Sequence, residues 1–324
     1  MRYLWFLLFP FFCLATTSTP FTVDLDVGYR EDVLKLKVYR HGNPSTTIYA
    51  ERYRDLRFLQ SDITIRTLQR DFFLFINGGY AAIGKGDLRQ GPFLLDFTTQ
   101  TPTFHFSTTA DAFHALGLFG ILVNLTPERY YTIALTPFGG YEGYWERIKR
   151  KNPSPDPGSY SLGDNAYFDM SSSLPNKEKI RWNGFLFGGI ITVHPGGDFW
   201  FDVCYAYHFT SLKDEISAQY QINNFTAPDL LATTTYTNIH AIGKTKKGNG
   251  QSGYVRGSYH FSKSWEASLL GKIVYFTSHI HNLNWQISST QSFPVYSQIN
   301  SENQRKFKLT HLMLTFLFQI TYKI

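Results

Sequence analysis

Two histidines one residue apart, His279 and His281, share a face of any β-strand and could together hold a metal ion. No Cys, Asp or Glu lies close enough in the chain to complete the set, so the spacing favours a pair of rim histidines. Asp24 and Asp26 also share a face, and the plainer reading of that pair is a wet wall. Water activation needs a base and its partner within hydrogen-bond reach. Asp87 has no acidic neighbour two residues away. Asp214 and Glu215 have their nearest histidine at His208, about 20 Å off along an extended chain. Gly84-Lys85-Gly86 and Gly248-Asn249-Gly250 sit in polar, loop-like stretches and open no helix, so neither cradles a phosphate. The residues therefore nominate no catalytic group, no cofactor and no metal ligand set.

The element that organises the rest is Phe307 to Ile324, FKLTHLMLTFLFQITYKI. Its even positions, Leu312, Leu314, Phe316, Phe318, Ile320, Tyr322 and Ile324, are all apolar, while His311, Thr315, Gln319, Thr321 and Lys323 fall between them. Side chains alternate across a strand, so one face is a continuous apolar stripe and the other is wetter. Strands of soluble domains usually run only about 5–6 residues. This one resembles the C-terminal closing strand of bacterial outer-membrane barrels, which the assembly machinery reads, with Ile324 standing where Phe or Trp is usual.

Composition agrees with that reading. Of 324 residues 17% are aromatic, including 29 Phe and 21 Tyr, yet the mean hydropathy is only −0.22. After the first twenty residues no apolar run approaches the roughly 20 that a membrane helix requires. Aromatics that alternate with polar residues suit a transmembrane barrel, oily outside and wet inside; the alternative is a secreted β-sandwich. Met1-Arg2, the apolar run Tyr3 to Leu14 and the small residues after it read as a secretory signal peptide over residues 1–18, leaving a barrel over 19–324. Phe11 and Phe12 occupy the positions where a lipoprotein box needs small residues, so no lipid is expected on Cys13, and Cys204 is left with no disulfide partner. The net charge of +6 comes partly from the cluster Arg147, Lys149, Arg150 and Lys151. In an exported chain such a cluster marks a solvated loop or one facing anionic headgroups, and nucleic acid is not an expected partner.

Read in order, the chain gives about ten strands, with 8 to 12 admissible. The first runs from Phe21 to Val38, with apolar parity switching near Glu31 and Asp32 as though at a bulge. Tight turns are expected at Gln69-Arg70-Asp71, Thr126 to Arg129, His194 to Asp198 and Ser262 to Ser264; long loops over about 84–110, 151–179 and 216–250 and through Pro294. The fourth strand is expected over Phe113–Leu125. The clearest internal strand sets Phe199, Phe201, Val203, Tyr205, Tyr207 and Phe209 against Asp202, Cys204, Ala206 and His208. Short turns alternating with long loops, and an even strand count, are the pattern of an all-β, antiparallel outer-membrane barrel. The candidate lumen-facing residues are Asp24, Asp26, Asp202, His208, Glu266 and Lys272. Trp182, Trp200, Trp265 and Trp285 read as an interface girdle.

VDLDVGYRED (Val23–Asp32), ERYRDLRF (Glu51–Phe58), Gly78-Gly79-Tyr80 and IRWNGF (Ile180–Phe185) occur in an order and spacing that resemble the Protochlamydia outer membrane protein family. In layout the chain is similar to the ten-stranded omptins. The first resemblance implies an outer-membrane barrel with a porin-like role. The second implies a surface protease with an Asp pair on one rim and an Asp/His pair on the other, which this sequence does not reproduce. The expectation is therefore a non-enzymatic barrel, either a porin-like passive channel for small solutes or a structural envelope protein. Its partners would be the bilayer and the assembly machinery. An omptin-like hydrolase with a relocated site and a host-contact adhesin are the alternatives.

Overall fold

Ten stretches of the chain form continuous strands of 16 to 30 residues, several times the length a soluble sheet needs. The computed structural model describes residues 21–40, 43–69, 71–90, 104–126, 132–155, 166–171, 176–226, 231–280, 282–291, 296–299 and 306–324. The long strands are β1 (Phe21–Arg40), β2 (Asn43–Gln69), β3 (Phe72–Gln90), β4 (Phe104–Ile121) and β5 (Thr132–Pro155). They continue as β6 (Asn176–His194), β7 (Phe199–Thr226), β8 (Leu231–His260), β9 (Trp265–Ile280) and β10 (Lys306–Lys323). Each pairs antiparallel with its neighbours in sequence, and β10 pairs β1 from Thr22↔Lys323 to Tyr39↔Lys306, which shuts the sheet into a ten-stranded barrel. Four shorter strands prolong the wall at its ends: Val123–Asn124, Ala166–Ser171, Asn282–Gln291 and Tyr296–Ile299.

One end of the barrel carries the short connections and both strand termini, the arrangement found at the periplasmic end of outer-membrane barrels. There the main chain of Ile324 donates to Phe21 O at 2.9 Å, and the turn from His194 to Phe199 is made by Gly196 and Gly197 at φ 98° and 73°. At the closing seam β1 runs so close to β10 that a Cβ on Gly28 would lie 1.9 Å from the carbonyl oxygen of Phe316. Only glycine permits that approach.

Around this end the outer surface is an apolar belt. Leu25 and Val27 on β1, Phe185 and Phe187 on β6, Leu269 on β9 and Phe316 on β10 all point outward, the last two 68% and 64% exposed. On β7 the belt runs from Phe199 to Phe209, which at ~3.3 Å per residue and a tilt of ~40° is a height of about 25 Å, that of an outer-membrane hydrocarbon band.

Above the belt the wall reverses its polarity. Leu34 and Leu36 occupy the same inward parity as Asp24, Asp26 and Arg30 and are buried, while Lys37 is exposed outside. The switch expected near Glu31 and Asp32 is therefore a change in what the inner face carries, and β1 itself does not bulge there. The bulge lies opposite, in β2, where Asp55 at φ 52° is the extra residue between Asp32↔Leu56 and Leu34↔Tyr53. The same reversal puts Ile148 and Arg150 inside with Arg147 and Lys149 outside on β5, and Ile180 and Trp182 inside with Lys177 and Arg181 outside on β6.

This reversal also accounts for the strand limits that the sequence misplaces. Of the span 84–110, β3 reaches Gln90 and β4 starts at Phe104 and ends at Ile121, and residues 91–103 lie outside the described residues. The span 151–179 yields to β5, which runs to Pro155, and to β6, which begins at Asn176. The polar stretch 216–250 is largely strand, the upper parts of β7 and β8, so Gly84-Lys85-Gly86 and Gly248-Asn249-Gly250 are ladder residues. Outside the lipid, a strand is held by main-chain pairing with no apolar stripe to advertise it.

Candidate functional site

The interior is built in three storeys, each positioned by the inward parity of neighbouring strands. In the lowest, Asp24 accepts from Arg66 Nη2 at 2.8 Å and from Thr321 Oγ1 at 2.7 Å. Asp202 accepts from Thr192 Oγ1 at 2.6 Å and forms a two-pronged pair with Arg256, whose guanidinium lies 5.1 Å from the Trp200 ring. Glu266 stands 2.9 Å from His260 Nε2 and accepts from Ser268 Oγ at 3.1 Å.

The middle storey surrounds a cavity of about 90 Å³. One side is polar: Asp26, Asp62, Asn77 and Lys272 face it, and Glu142 stands 3.2 Å from His208 Nδ1 and 3.9 Å from Lys272 Nζ. The other side is apolar, with Phe75, Leu118, Phe138, Leu186 and Ile190. His208 Nε2 is 2.8 Å from Ser252 Oγ, and His114 Nε2 is 2.7 Å from Asn77 Oδ1.

The upper storey is a hydrophobic core in which Leu34, Tyr53, Leu56, Phe58, Trp182 and Phe276 are all buried, with the Trp182 and Phe276 rings stacked at 5.2 Å. Charged groups are set into it. Arg30 binds Asp32 through Nε at 2.8 Å and through Nη2, and lies 5.1 and 5.0 Å from the Phe58 and Tyr144 rings. Higher still, Arg150 donates to both oxygens of Glu51 at 2.9 Å, to Glu178 at 2.7 Å and to the Tyr53 hydroxyl at 2.7 Å, and Tyr53 also donates to Glu178.

Of the six residues that the alternation singles out, Asp24, Asp26, Asp202, His208 and Glu266 are buried and the side chain of Lys272 is 20% exposed. The structure brings His208 and Lys272 to one partner, Glu142, and places Asp24, Asp202 and Glu266 in separate networks. Phe316, Phe318, Ile320, Tyr322 and Ile324 keep the outward parity of β10. The girdle expectation needs correcting in part. Trp265 is outside, but Trp182 is in the core and Trp200 stacks on His260 at 5.5 Å. Both have inward parity, which overrides their nearness to a strand end. The side chain of Trp285, His281 and the signal-peptide span 1–18 lie outside the described residues. Asp87 is exposed outside the wall and Asp214 is buried within it, so those two acids cannot share a water. The sequence does not single out Arg30, Glu142, Glu146 and Arg150 as interior groups: Glu142, Glu146 and Arg150 pair across tens of residues, Arg30 pairs with Asp32 two positions on, and the signal available for all four is inward parity.

The profile of the Protochlamydia outer membrane protein family matches residues 24–314. The chain belongs to that family. It is accordingly a protein of the bacterial outer membrane. No curated protein matches it in sequence. Among solved structures it is similar to the outer membrane protease OmpT from Escherichia coli, with a TM-score of 0.58 at 13% identity over 95% of this chain and 99% of that one. That likeness concerns the ten-stranded fold. Weaker likenesses are to the translocator domain of the autotransporter NalP from Neisseria meningitidis (TM-score 0.28, 10% identity, 96% and 91% covered) and to the Pseudomonas putida toluene transporter TodX (0.29, 7%, 94% and 90%).

Proposed function

We propose that this outer-membrane barrel is a structural envelope protein with a sealed lumen, and that it does not conduct solutes as a porin-like channel would. The observation that carries the reading is the upper storey: Tyr53, Phe58, Phe106, Trp182 and Phe276 belong to one buried cluster inside the barrel, and below them the described cavity amounts to about 90 Å³. Barrels that leave an aqueous channel have about 16 to 18 strands, and those of about 8 fill with their own side chains. Ten strands filled in this way are on the sealed side of that division. In this reading residues 1–18 direct export and the outward stripe Phe316 to Ile324 serves the assembly machinery. Asp24, Asp26, Asp202, His208, Glu266 and Lys272 brace the lumen by pairing and do not line a path through it.

Planar-bilayer recording of refolded protein, with heat-modifiable gel migration certifying the closed barrel, tests the proposal. A flat baseline is expected. Discrete conductance steps from heat-modifiable protein would restore the porin reading.

A further inference from the structure

Asp32 on β1, Glu146 on β5 and His311 on β10 converge inside the barrel from three separate strands, with one donor atom from each lying within 4.8 Å of the others. We propose that they are the protein ligands of a divalent transition-metal ion of the zinc class. His311 Nε2 stands 3.2 Å from Asp32 Oδ2 and 3.4 Å from Glu146 Oε2. Ligands at ~2.1 Å from a tetrahedral ion are about 3.4 Å apart, so these two edges already have the length that a shared cation sets. An imidazole with two carboxylates suits zinc and its first-row neighbours, and an exogenous water completes four-coordination.

The charges support an ion at this place. Arg30 covers Asp32 with a two-pronged pair and makes no ion pair with Glu146. Glu146 is 2% exposed, and neither of its oxygens has a hydrogen-bond partner among the described residues. A buried carboxylate left in that condition is costly. Its Oε2 faces His311 Nε2, and a divalent cation at the centre of the three donors satisfies Glu146, takes the His311 lone pair and leaves the Arg30–Asp32 pair in place. Met313 and Tyr144, buried beside Arg30, keep the surroundings dry and so strengthen the attraction. The inference holds whether or not the lumen conducts.

The test is to refold the full barrel with zinc, remove loose metal by dialysis and count bound zinc by elemental analysis, with cobalt substitution as a visible readout. One equivalent per chain is expected, falling at least ~10-fold in Glu146→Gln and in His311→Gln while heat-modifiable migration persists, and unchanged in His279→Ala on the outer face. No retained metal in wild type, or full retention in both ligand variants, overturns the site. Should the variants fail to close, X-ray absorption of zinc-loaded wild type decides. A first shell of one imidazole with oxygen donors is expected, and a shell of several imidazoles overturns the proposal.

Discussion

Up to about Tyr29 the wall of this barrel is greasy outside, and its inner face carries ion pairs beside an apolar cluster of Leu118, Phe138, Leu186 and Ile190; beyond it the outer face turns polar and a larger apolar core fills the inside. The two halves share backbone, pairing and parity, and differ only in what lies beyond the outer face. Against lipid, which is as apolar as a core, burying leucine inside gains little, so the interior is free to carry ion pairs beside the small apolar cluster around Leu118 and Leu186. Against water the hydrophobic effect returns, and Leu34, Leu56, Phe58, Phe276 and Met313 gather on the axis as in a soluble barrel. Main-chain hydrogen bonds hold the sheet in both halves, and solvent decides which way each residue type faces.

The sharpest way to break the comparison is at Arg150, the one cation set among Glu51, Glu178 and Tyr53 inside the upper core. Arg150→Ala leaves two carboxylates buried together, and denaturant unfolding in detergent should show a loss of at least ~3–5 kcal/mol. Next is Trp182→Ala, which opens a hole against Phe276 and should cost about 3–5 kcal/mol by the same assay, whereas a residue of the lipid girdle would cost far less. Phe316→Arg tests the lower half from outside. On the apolar outer stripe of β10 it should cost up to about 2–4 kcal/mol in lipid vesicles and impair insertion. The smallest effect belongs to the basic outer face above the belt, where Arg147, with a side chain 67% exposed, pairs with Asp111 at 2.6 Å. Arg147→Ala should change stability by no more than ~1 kcal/mol, and less in high salt.

The sequence discloses the lower half far better than the upper. Between Phe199 and Phe209, and between Leu312 and Tyr322, lipid outside and polar groups inside write a period of two, and strand count, topology and the inward parity of Asp202 and His208 follow from it. Past Thr210 the outer face is Ser211, Lys213, Glu215 and Ser217, and the chain from about 216 reads as a loop although β7 continues to Thr226. The parity change at Leu34 is visible in the residues, but without a solvent boundary in mind it resembles a bulge. The Asp32–Glu146–His311 convergence was beyond reach, since it depends on which strands lie opposite one another across the barrel and not on any spacing along the chain.

The most direct test of this inverted wall is a nitroxide scan along the outward face of β7 in reconstituted vesicles, after Cys204 is replaced by Ser, comparing collision with oxygen and with a water-soluble nickel chelate. Labels at Phe201, Tyr205 and Phe209 should collide with oxygen as lipid-facing sites do, and labels at Lys213, Glu215 and Ser217 should switch to the nickel chelate within two or three positions. Oxygen preference that continues unchanged through Ser217 would mean that the upper half is membrane wall as well, and the account of its core would be wrong.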